Sequence, residues 1–218
     1  MKFNLIDKDN WKRDPYFRQF MNIVRCSYSM TANIDITNLI KEVKENKIKV
    51  YPVLIYMASK IVNSHEEFRT DFNKEGRLGY WESINPCYTV FHKETETFSN
   101  IWTEYSSDFK IFYRNYLNDI ENFGDIQKYI AKENEEGNTF PVSSIPWTSF
   151  TGFNLNIYEE GRYLLPIITF GKYFEQGDKI MLPISLQVHH AVCDGYHGSR
   201  FFSEFQELAL DYSSWLNY

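Results

Sequence analysis

The sequence contains little cysteine: Cys26, Cys87 and Cys193 are the three among 218 residues. An odd, sparse set without metal-ligand spacing excludes a disulfide scaffold and predicts reduced thiols in a cytoplasmic protein. Glycine and proline are also scarce, at 10 and 7 residues. Their scarcity excludes a collagen-like or low-complexity chain.

Positive charge is in deficit, because 23 Lys and Arg face 29 Asp and Glu, a net charge of −6. Without a basic stripe, nucleic acid is not an expected partner. The longest uncharged stretch, residues 137–158, contains Pro141, Pro146 and Gly152, so no membrane span is expected. Residues 1–14 interleave charges without an apolar segment, so no signal peptide is expected. Gly-x-Gly-x-x-Gly and Gly-x-x-x-x-Gly-Lys are absent, which excludes their nucleotide-binding folds.

Aromatic side chains are abundant: 18 Phe, 16 Tyr and 5 Trp make 18% of the chain. Such a surplus must line a core, a pocket or a subunit interface. Neither repeats nor a linker are visible, so we expect one domain over residues 1–218.

Hydrophobic periodicity predicts an α+β fold, in which a mixed β-sheet is layered with helices on one face. The predicted strands are residues 21–34, 68–72, 78–81, 87–92, 98–105, 153–158, 164–174 and 179–189. One helix is capped by Asp35 and runs to about Asn46, and a buried one opens at Tyr51-Pro52. A third runs from a Ser107 cap to Gly124, and the last starts at about Tyr196.

The segment His-His-Ala-Val-Cys-Asp-Gly, residues 189–195, combines several signals of a functional site. It ends a long apolar strand, precedes a helix and holds two of the five histidines. Strand alternation puts His189 and His190 on opposite faces, so one of them could act as a general base in a cavity. A structural, buried histidine is the competing interpretation. A metal site of His189, His190, Asp194 and His197 is disfavoured because adjacent strand residues diverge, and Cys193 lacks an activating partner for a nucleophile.

These residues resemble the signature of the chloramphenicol acetyltransferase family. The shorter His-x-x-x-Asp-Gly pattern is shared with other CoA-dependent acyltransferases. Four further segments resemble the family in order and spacing: residues 88–99 (YTVFHKETETFS), 143–147 (SSIPW), 153–156 (FNLN) and 171–173 (GKY). The resemblance covers essentially the whole chain and implies the CoA-dependent acyltransferase fold.

The resemblance also implies a reaction: acetyl transfer from acetyl-CoA to the primary hydroxyl of chloramphenicol in a ternary complex, which confers antibiotic resistance. His190 would be the base, with its second ring nitrogen bonded to its own carbonyl. Asp194 would pair with Arg13 to support the site, although Arg13 read alone looks like a solvated charge. Ser143 would stabilise the oxyanion, and Thr169 would reach the same region through a water.

The remaining implied residues form two binding regions. The acceptor pocket would consist of Phe20, Val24, Cys26, Cys87, Phe98, Phe153, Leu155 and Ile167. Cys87 departs from the glutamine often found there, which puts acceptor preference in question. CoA would contact Lys49, Tyr51, Trp147 and Lys172. Neither a permanent cofactor nor a metal is implied, and the family forms homotrimers with active sites at subunit interfaces.

Two other functions compete with this one. An acyltransferase of the same fold could use another alcohol or a thiol as its acceptor, and dihydrolipoamide acyltransferase is the nearest case. No lipoyl domain or Ala/Pro-rich linker is visible in this sequence. A catalytically inactive relative could bind hydrophobic small molecules, but His190 and Ser143 are both present.

Overall fold

A computed structural model describes residues 2–134, 136–157 and 161–218. Its strands are β1 (Phe3–Leu5), β2 (Ser27–Asp35), β3 (Thr70–Phe72), β4 (Leu78–Trp81), β5 (Asn85–His92), β6 (Thr97–Trp102), β7 (Thr139–Ile145), β8 (Ile167–Gly171), β9 (Phe174–Gln176) and β10 (Lys179–His189). Its α-helices are α1 (Asp14–Arg18), α2 (Thr37–Glu45), α3 (Val50–Ser64), α4 (Phe109–Phe123) and α5 (Gly195–Leu210).

The strands form two sheets. The larger has the order β2-β10-β8-β7-β5-β6, with β9 also on β10, and the smaller has the order β1-β4-β3. The β5–β7 and β7–β8 pairs are parallel and the other pairs antiparallel. The predicted mixed sheet is confirmed.

Strand β10 separates a helix-covered core from the face that carries the polar groups. Leu182, Ile184, Leu186 and Val188 alternate along it and are buried. Ile184 pairs with Phe170 of β8, whose ring contacts Phe205 of α5. On the opposite face, Ser185 donates to the Phe153 carbonyl at 2.7 Å.

The buried helix predicted at Tyr51-Pro52 is α3, which begins at Val50. Residues 52–59 of it are all buried, as the continuous apolar run predicts. Helix α2 has Ile36 at its N-cap position, so the cap predicted at Asp35 was one residue too early. The Asp35 carboxylate still accepts from the Thr37 amide at 3.1 Å. Among the helices of the described ranges, none is both long and apolar enough to cross a bilayer.

Several predicted boundaries were wrong for local reasons. Residues 19–23 form a π-helical turn that continues α1, closed by the Val24 amide on the Gln19 carbonyl, so strand β2 starts only at Ser27. Helix α4 is capped by Asp108, whose carboxylate accepts from the amides of Lys110 and Ile111, and not by Ser107. The predicted strand 164–174 bends after Gly171, where the Lys172 amide bonds to the Thr148 carbonyl.

The predicted strand 153–158 is also wrong over residues 153–157, and Tyr158 lies outside the described residues. The backbone here bonds to side chains of β10 instead of a neighbouring strand: the Phe153 carbonyl to Ser185 and the Leu155 amide to Gln187. Among the α-helices and strands of the described residues, α1, β1 and β7 were not predicted, and β9 was predicted only at Phe174, as the end of strand 164–174.

Candidate active site

The turn between β10 and α5 is held by one arginine. Arg13 donates from Nε to the Ala191 carbonyl at 2.9 Å and from Nη2 to the His190 carbonyl at 3.0 Å. Its Nη1 donates to Oδ2 of Asp194 at 3.1 Å. The rigid guanidinium fork therefore binds three points of one turn. The structure thus brings Arg13 and Asp194 together, as the resemblance implied.

Asp194 also begins helix α5. Its carboxylate accepts from the Tyr196 amide at 3.2 Å, and its own amide donates to Nδ1 of His197 at 3.1 Å. Burial raises the pKa of Asp194, but the hydrogen bond from Arg13 and the charges of His197 and Arg13 outweigh it and leave the pKa below its ordinary value. The carboxyl is therefore ionised at neutral pH.

His190 lies at the start of this turn, half-buried between aromatic rings. Its amide donates to the Cys26 carbonyl at 2.8 Å. Its imidazole stacks on Phe20 with a centroid separation of 3.9 Å and an interplanar angle of 6°, and meets the edge of Tyr28 at 5.5 Å. Nδ1 is buried and makes no hydrogen bond to another described residue. The bond from Nδ1 to the residue's own carbonyl stays a prediction.

His189 points away from His190. Its Nδ1 accepts from the Ala191 amide at 3.0 Å, and its side chain lines a different cavity of about 290 Å³ with Gln187 and Tyr163. Burial lowers the pKa of His189, so its ring is neutral at pH 7. Within the described part of the chain, no three His, Cys, Asp or Glu side chains form a possible metal cluster.

Cys193 lies inside this turn but is buried. Burial raises the pKa of its thiol well above the ordinary value. A thiol that stays protonated at neutral pH is a poor nucleophile.

Ser143 and Thr169 occupy paired positions of the parallel strands β7 and β8. Their hydroxyl oxygens are 2.9 Å apart. Cross-strand neighbours point to the same face of a sheet, so the register aligns the two hydroxyls. The resemblance implied the same neighbourhood for both residues.

Ser143 and His190 lie far apart within one chain. Ser143 pairs with Thr169, and Thr169 pairs with Ser185 of β10. His190 is five residues beyond Ser185, which at about 3.3 Å per residue is roughly 16 Å along the strand. Within one chain, His190 and Ser143 therefore lie in two separate regions, which we name the His190 half-site and the Ser143 half-site.

The residues expected in the acceptor pocket divide between these half-sites. The Phe20 ring contacts the His190 ring, and the Cys26 carbonyl accepts a hydrogen bond from the His190 amide. Val24, Phe98 and Leu155 have exposed fractions of 51%, 48% and 42%. The Phe153 carbonyl accepts a hydrogen bond from Ser185 of β10. Ile167 is the first residue of β8. Cys87 of β5 pairs with Pro141 of β7 on one side and with Trp102 of β6 on the other. Burial raises the pKa of Cys87 to about 11, so this side chain is neutral.

Two of the residues expected to contact CoA share a cavity. Tyr51 and Lys172 line a cavity of about 320 Å³, and Ser144, the neighbour of Ser143, lies on its wall. Trp147 is exposed and meets the ring of Phe91 at 4.8 Å. Lys49 is exposed directly before α3.

Sequence reasoning missed Tyr28, whose ring contacts His190 and whose hydroxyl is buried without a hydrogen bond to a described residue. Tyr28 pairs with Val188 of β10. An aromatic residue on β2 opposite the end of β10 could have indicated this contact, but the pairing of β2 with β10 is not visible in the sequence.

Solved structures with a similar fold define the class. A chloramphenicol acetyltransferase superimposes with a TM-score of 0.89 at 22% identity, covering 95% of this chain and all of the other. Dihydrolipoamide acetyltransferase of Azotobacter vinelandii gives a TM-score of 0.67 at 18% identity, covering 93% and 88%. The chain therefore has the fold of an acetyltransferase.

Sequence comparison identifies the family. The family model for chloramphenicol acetyltransferase matches residues 1–206. The chloramphenicol acetyltransferase of Clostridium butyricum is 62% identical over 216 residues, 99% of each chain. The chain belongs to the chloramphenicol acetyltransferase family.

Proposed function

We propose that the protein transfers the acetyl group of acetyl-CoA to the primary hydroxyl of chloramphenicol and so confers resistance to this antibiotic. The observation that carries the proposal is the turn at His190. In a chain of this family, it presents one imidazole on a turn whose backbone carbonyls and Asp194 carboxylate accept hydrogen bonds from Arg13.

His190 acts as the general base. A hydroxyl is a poor nucleophile at neutral pH, so its proton must leave as its oxygen attacks the thioester carbonyl. The imidazole takes that proton, and the bond from carbon to sulfur breaks as the tetrahedral intermediate collapses. The proton then leaves with the CoA thiol, and His190 returns to its neutral form.

Ser143 supplies a hydrogen bond to the oxyanion of this intermediate. Its hydroxyl has Thr169 as a neighbour at 2.9 Å, which supports Thr169 as a positioning residue. A donor aimed at the developing charge is typically worth about 3 kcal/mol of transition-state stabilisation.

Direct attack, without an acyl-enzyme, fits the nearby nucleophiles. The Cys193 thiol is buried with a raised pKa. The Ser143 hydroxyl is 2.9 Å from the Thr169 hydroxyl, and its proposed role is to donate to the oxyanion. The acetyl group therefore passes from CoA to the acceptor in one ternary complex.

The acceptor lies among the apolar side chains of the expected acceptor pocket, and acetyl-CoA approaches along the cavity of Tyr51 and Lys172. Ser144, the residue after Ser143 in β7, lies on the wall of this cavity. Lys172 and Lys49 offer positive charge to the phosphates of CoA, and Trp147 offers an exposed ring for pantetheine. Acetyl-CoA is a co-substrate, and no permanent cofactor takes part.

The active protein is a cyclic homotrimer with a shared site at each interface. The separation of roughly 16 Å between the half-sites supports it, because a second copy can bring its Ser143 half-site to His190. Exposed Val24, Phe98 and Leu155 supply apolar surface for such an interface. A cyclic arrangement makes three equivalent contacts and closes on itself.

A cytoplasmic location also stays a proposal, supported by three free thiols.

The test is acetyl-CoA consumption, followed by loss of the thioester absorbance. We expect turnover with chloramphenicol and none with chloramphenicol whose primary hydroxyl is already acetylated. Turnover with dihydrolipoamide and not with chloramphenicol would contradict the proposal. Binding of chloramphenicol without turnover would identify an inactive relative.

A further inference from the structure

His189 makes a hydrogen bond that the proposed mechanism does not use. It is the last residue of β10, with 3% of its surface exposed, and its Nδ1 accepts from the Ala191 amide at 3.0 Å. A neutral imidazole has one donor and one acceptor nitrogen. Nδ1 therefore accepts only while the ring is neutral and its proton is on Nε2.

This bond acts on the peptide group that follows His190. The Ala191 amide and the His190 carbonyl belong to the same planar peptide unit. Its N–H donates to His189, and its C=O accepts from Nη2 of Arg13 at 3.0 Å. Two side chains therefore hold one peptide plane from opposite ends.

The same plane sets the direction of the His190 side chain. Rotation of the peptide changes ψ of His190 and turns its carbonyl oxygen, the atom to which the resemblance assigns the second ring nitrogen of the imidazole. The His190 amide is bonded to the Cys26 carbonyl at 2.8 Å, so the backbone is also held before the ring. His189 supplies the restraint on the N–H of the following peptide.

We propose that His189 is a positioning residue for acetyl transfer, which locks the peptide after His190 and keeps the His190 imidazole directed at the reacting hydroxyl. The inference rests on the proposed role of His190. A purely structural histidine would need only to fill its space, whereas this role requires a hydrogen-bond acceptor at the place of Nδ1.

Three substitutions separate the two roles. In His189→Asn, the amide oxygen can take the place of Nδ1. In His189→Gln, the amide lies at the place of Nε2, and His189→Leu fills space without any acceptor. The apparent melting temperature of each variant is measured beside its kinetics, so that loss of folding is distinguished from loss of alignment.

We expect His189→Asn to keep kcat within about 10-fold of the wild type, while His189→Gln and His189→Leu lose roughly 10²-fold, because a displacement of about 1 Å costs on that order. KM for both substrates should stay within about 2-fold, since the substrate contacts are unchanged. Equal losses in all three variants, or losses that follow the melting temperature, would overturn the inference.

A second readout requires no substrate. Ala191 is the one alanine of five that follows a histidine. Labelling histidine with ¹³C at the carbonyl and alanine with ¹⁵N therefore gives a single NMR signal for this peptide. We expect slow amide exchange in the wild type and in His189→Asn, and faster exchange in His189→Gln.

The two readouts distinguish failure of the inference from failure of the proposed function. An active wild type whose Ala191 signal is unchanged in His189→Gln would overturn the role of His189. A wild type without acetyl transfer, but with the expected exchange pattern, would refute the proposed function and with it the catalytic purpose of this restraint.

Discussion

Replacing Arg13 with alanine removes three hydrogen bonds from the turn that carries His190. Hydrogen bonds to charged groups contribute about 1.5–3 kcal/mol each, and breaking a fully buried pair costs about 3–5 kcal/mol. The Arg13 side chain is 17% exposed but that of Asp194 is 42% exposed, so solvent compensates part of the loss. We therefore expect a loss of about 2–4 kcal/mol in the free energy of unfolding.

Arg18 provides a matched control, since it is the last residue of α1, the helix that Arg13 directly precedes, and forms an ion pair with Asp14 at 2.6 Å. Its side chain is 65% exposed, so Arg18→Ala should cost less than about 1 kcal/mol. The assay is urea denaturation followed by intrinsic fluorescence, at fixed protein concentration because an oligomer is proposed.

A double-mutant cycle with Asp194→Asn tests the pairing itself. The coupling energy should be about 0.5–3 kcal/mol, because the two residues share a contact. Equal losses for Arg13→Ala and Arg18→Ala, or full additivity in the cycle, would refute the reasoning.

Three further predictions concern the chemistry and its pH dependence. His190→Ala should lower the rate of acetyl transfer by at least about 10²-fold while the protein still assembles. Residual activity above about 1% of the wild type would contradict a role of His190 as the sole base. Ser143→Ala should lower kcat by about 10²–10³-fold at similar KM, and a raised KM at constant kcat would make Ser143 a binding residue. The depressed pKa of Asp194 contributes stability that is present above the unfolded pKa of about 3.9 and is lost as the pH falls through the folded value. The stability difference between the wild type and Asp194→Asn should therefore narrow below about pH 4, and a difference that widens there would contradict this.

Local pattern was sufficient for much of the fold. The alternation in residues 179–189 predicted β10 with its observed bounds, and the apolar run after Tyr51 predicted a buried α3. Strand β7 was not predicted because Pro141 and the Ser143-Ser144 pair are residues typical of turns. Its parallel pairing with β5 and β8 is a nonlocal property that no local signal reports.

The candidate site was predictable in composition but not in arrangement. Strand alternation correctly separated His189 from His190. Arg13, between Lys12 and Asp14, looked solvated when read alone, and only the resemblance pointed to its pairing with Asp194. The distance between Ser143 and His190 depends on the strand order, which places β8 between β7 and β10, and on the register of these strands.

The hydrogen bond that the Ala191 amide donates to Nδ1 of His189 was likewise not predictable, because it depends on the side-chain rotamer of the last residue of β10. A histidine at that position predicts a polar group facing away from His190, but not which nitrogen is used. The tautomer follows only once the Ala191 amide is seen to be its donor.

The central claim is that His190 of one subunit acts at the Ser143 half-site of another. His190→Ala removes the base, and Leu155→Arg puts a charge into the expected acceptor pocket. The two inactive proteins are unfolded, mixed in equal amounts and refolded, with each refolded alone as a control. Random assortment then leaves roughly a quarter of the interfaces with an intact base facing an intact pocket. The account predicts that activity returns in the mixture to about that fraction. A mixture that assembles into trimers but stays inactive would contradict the shared site.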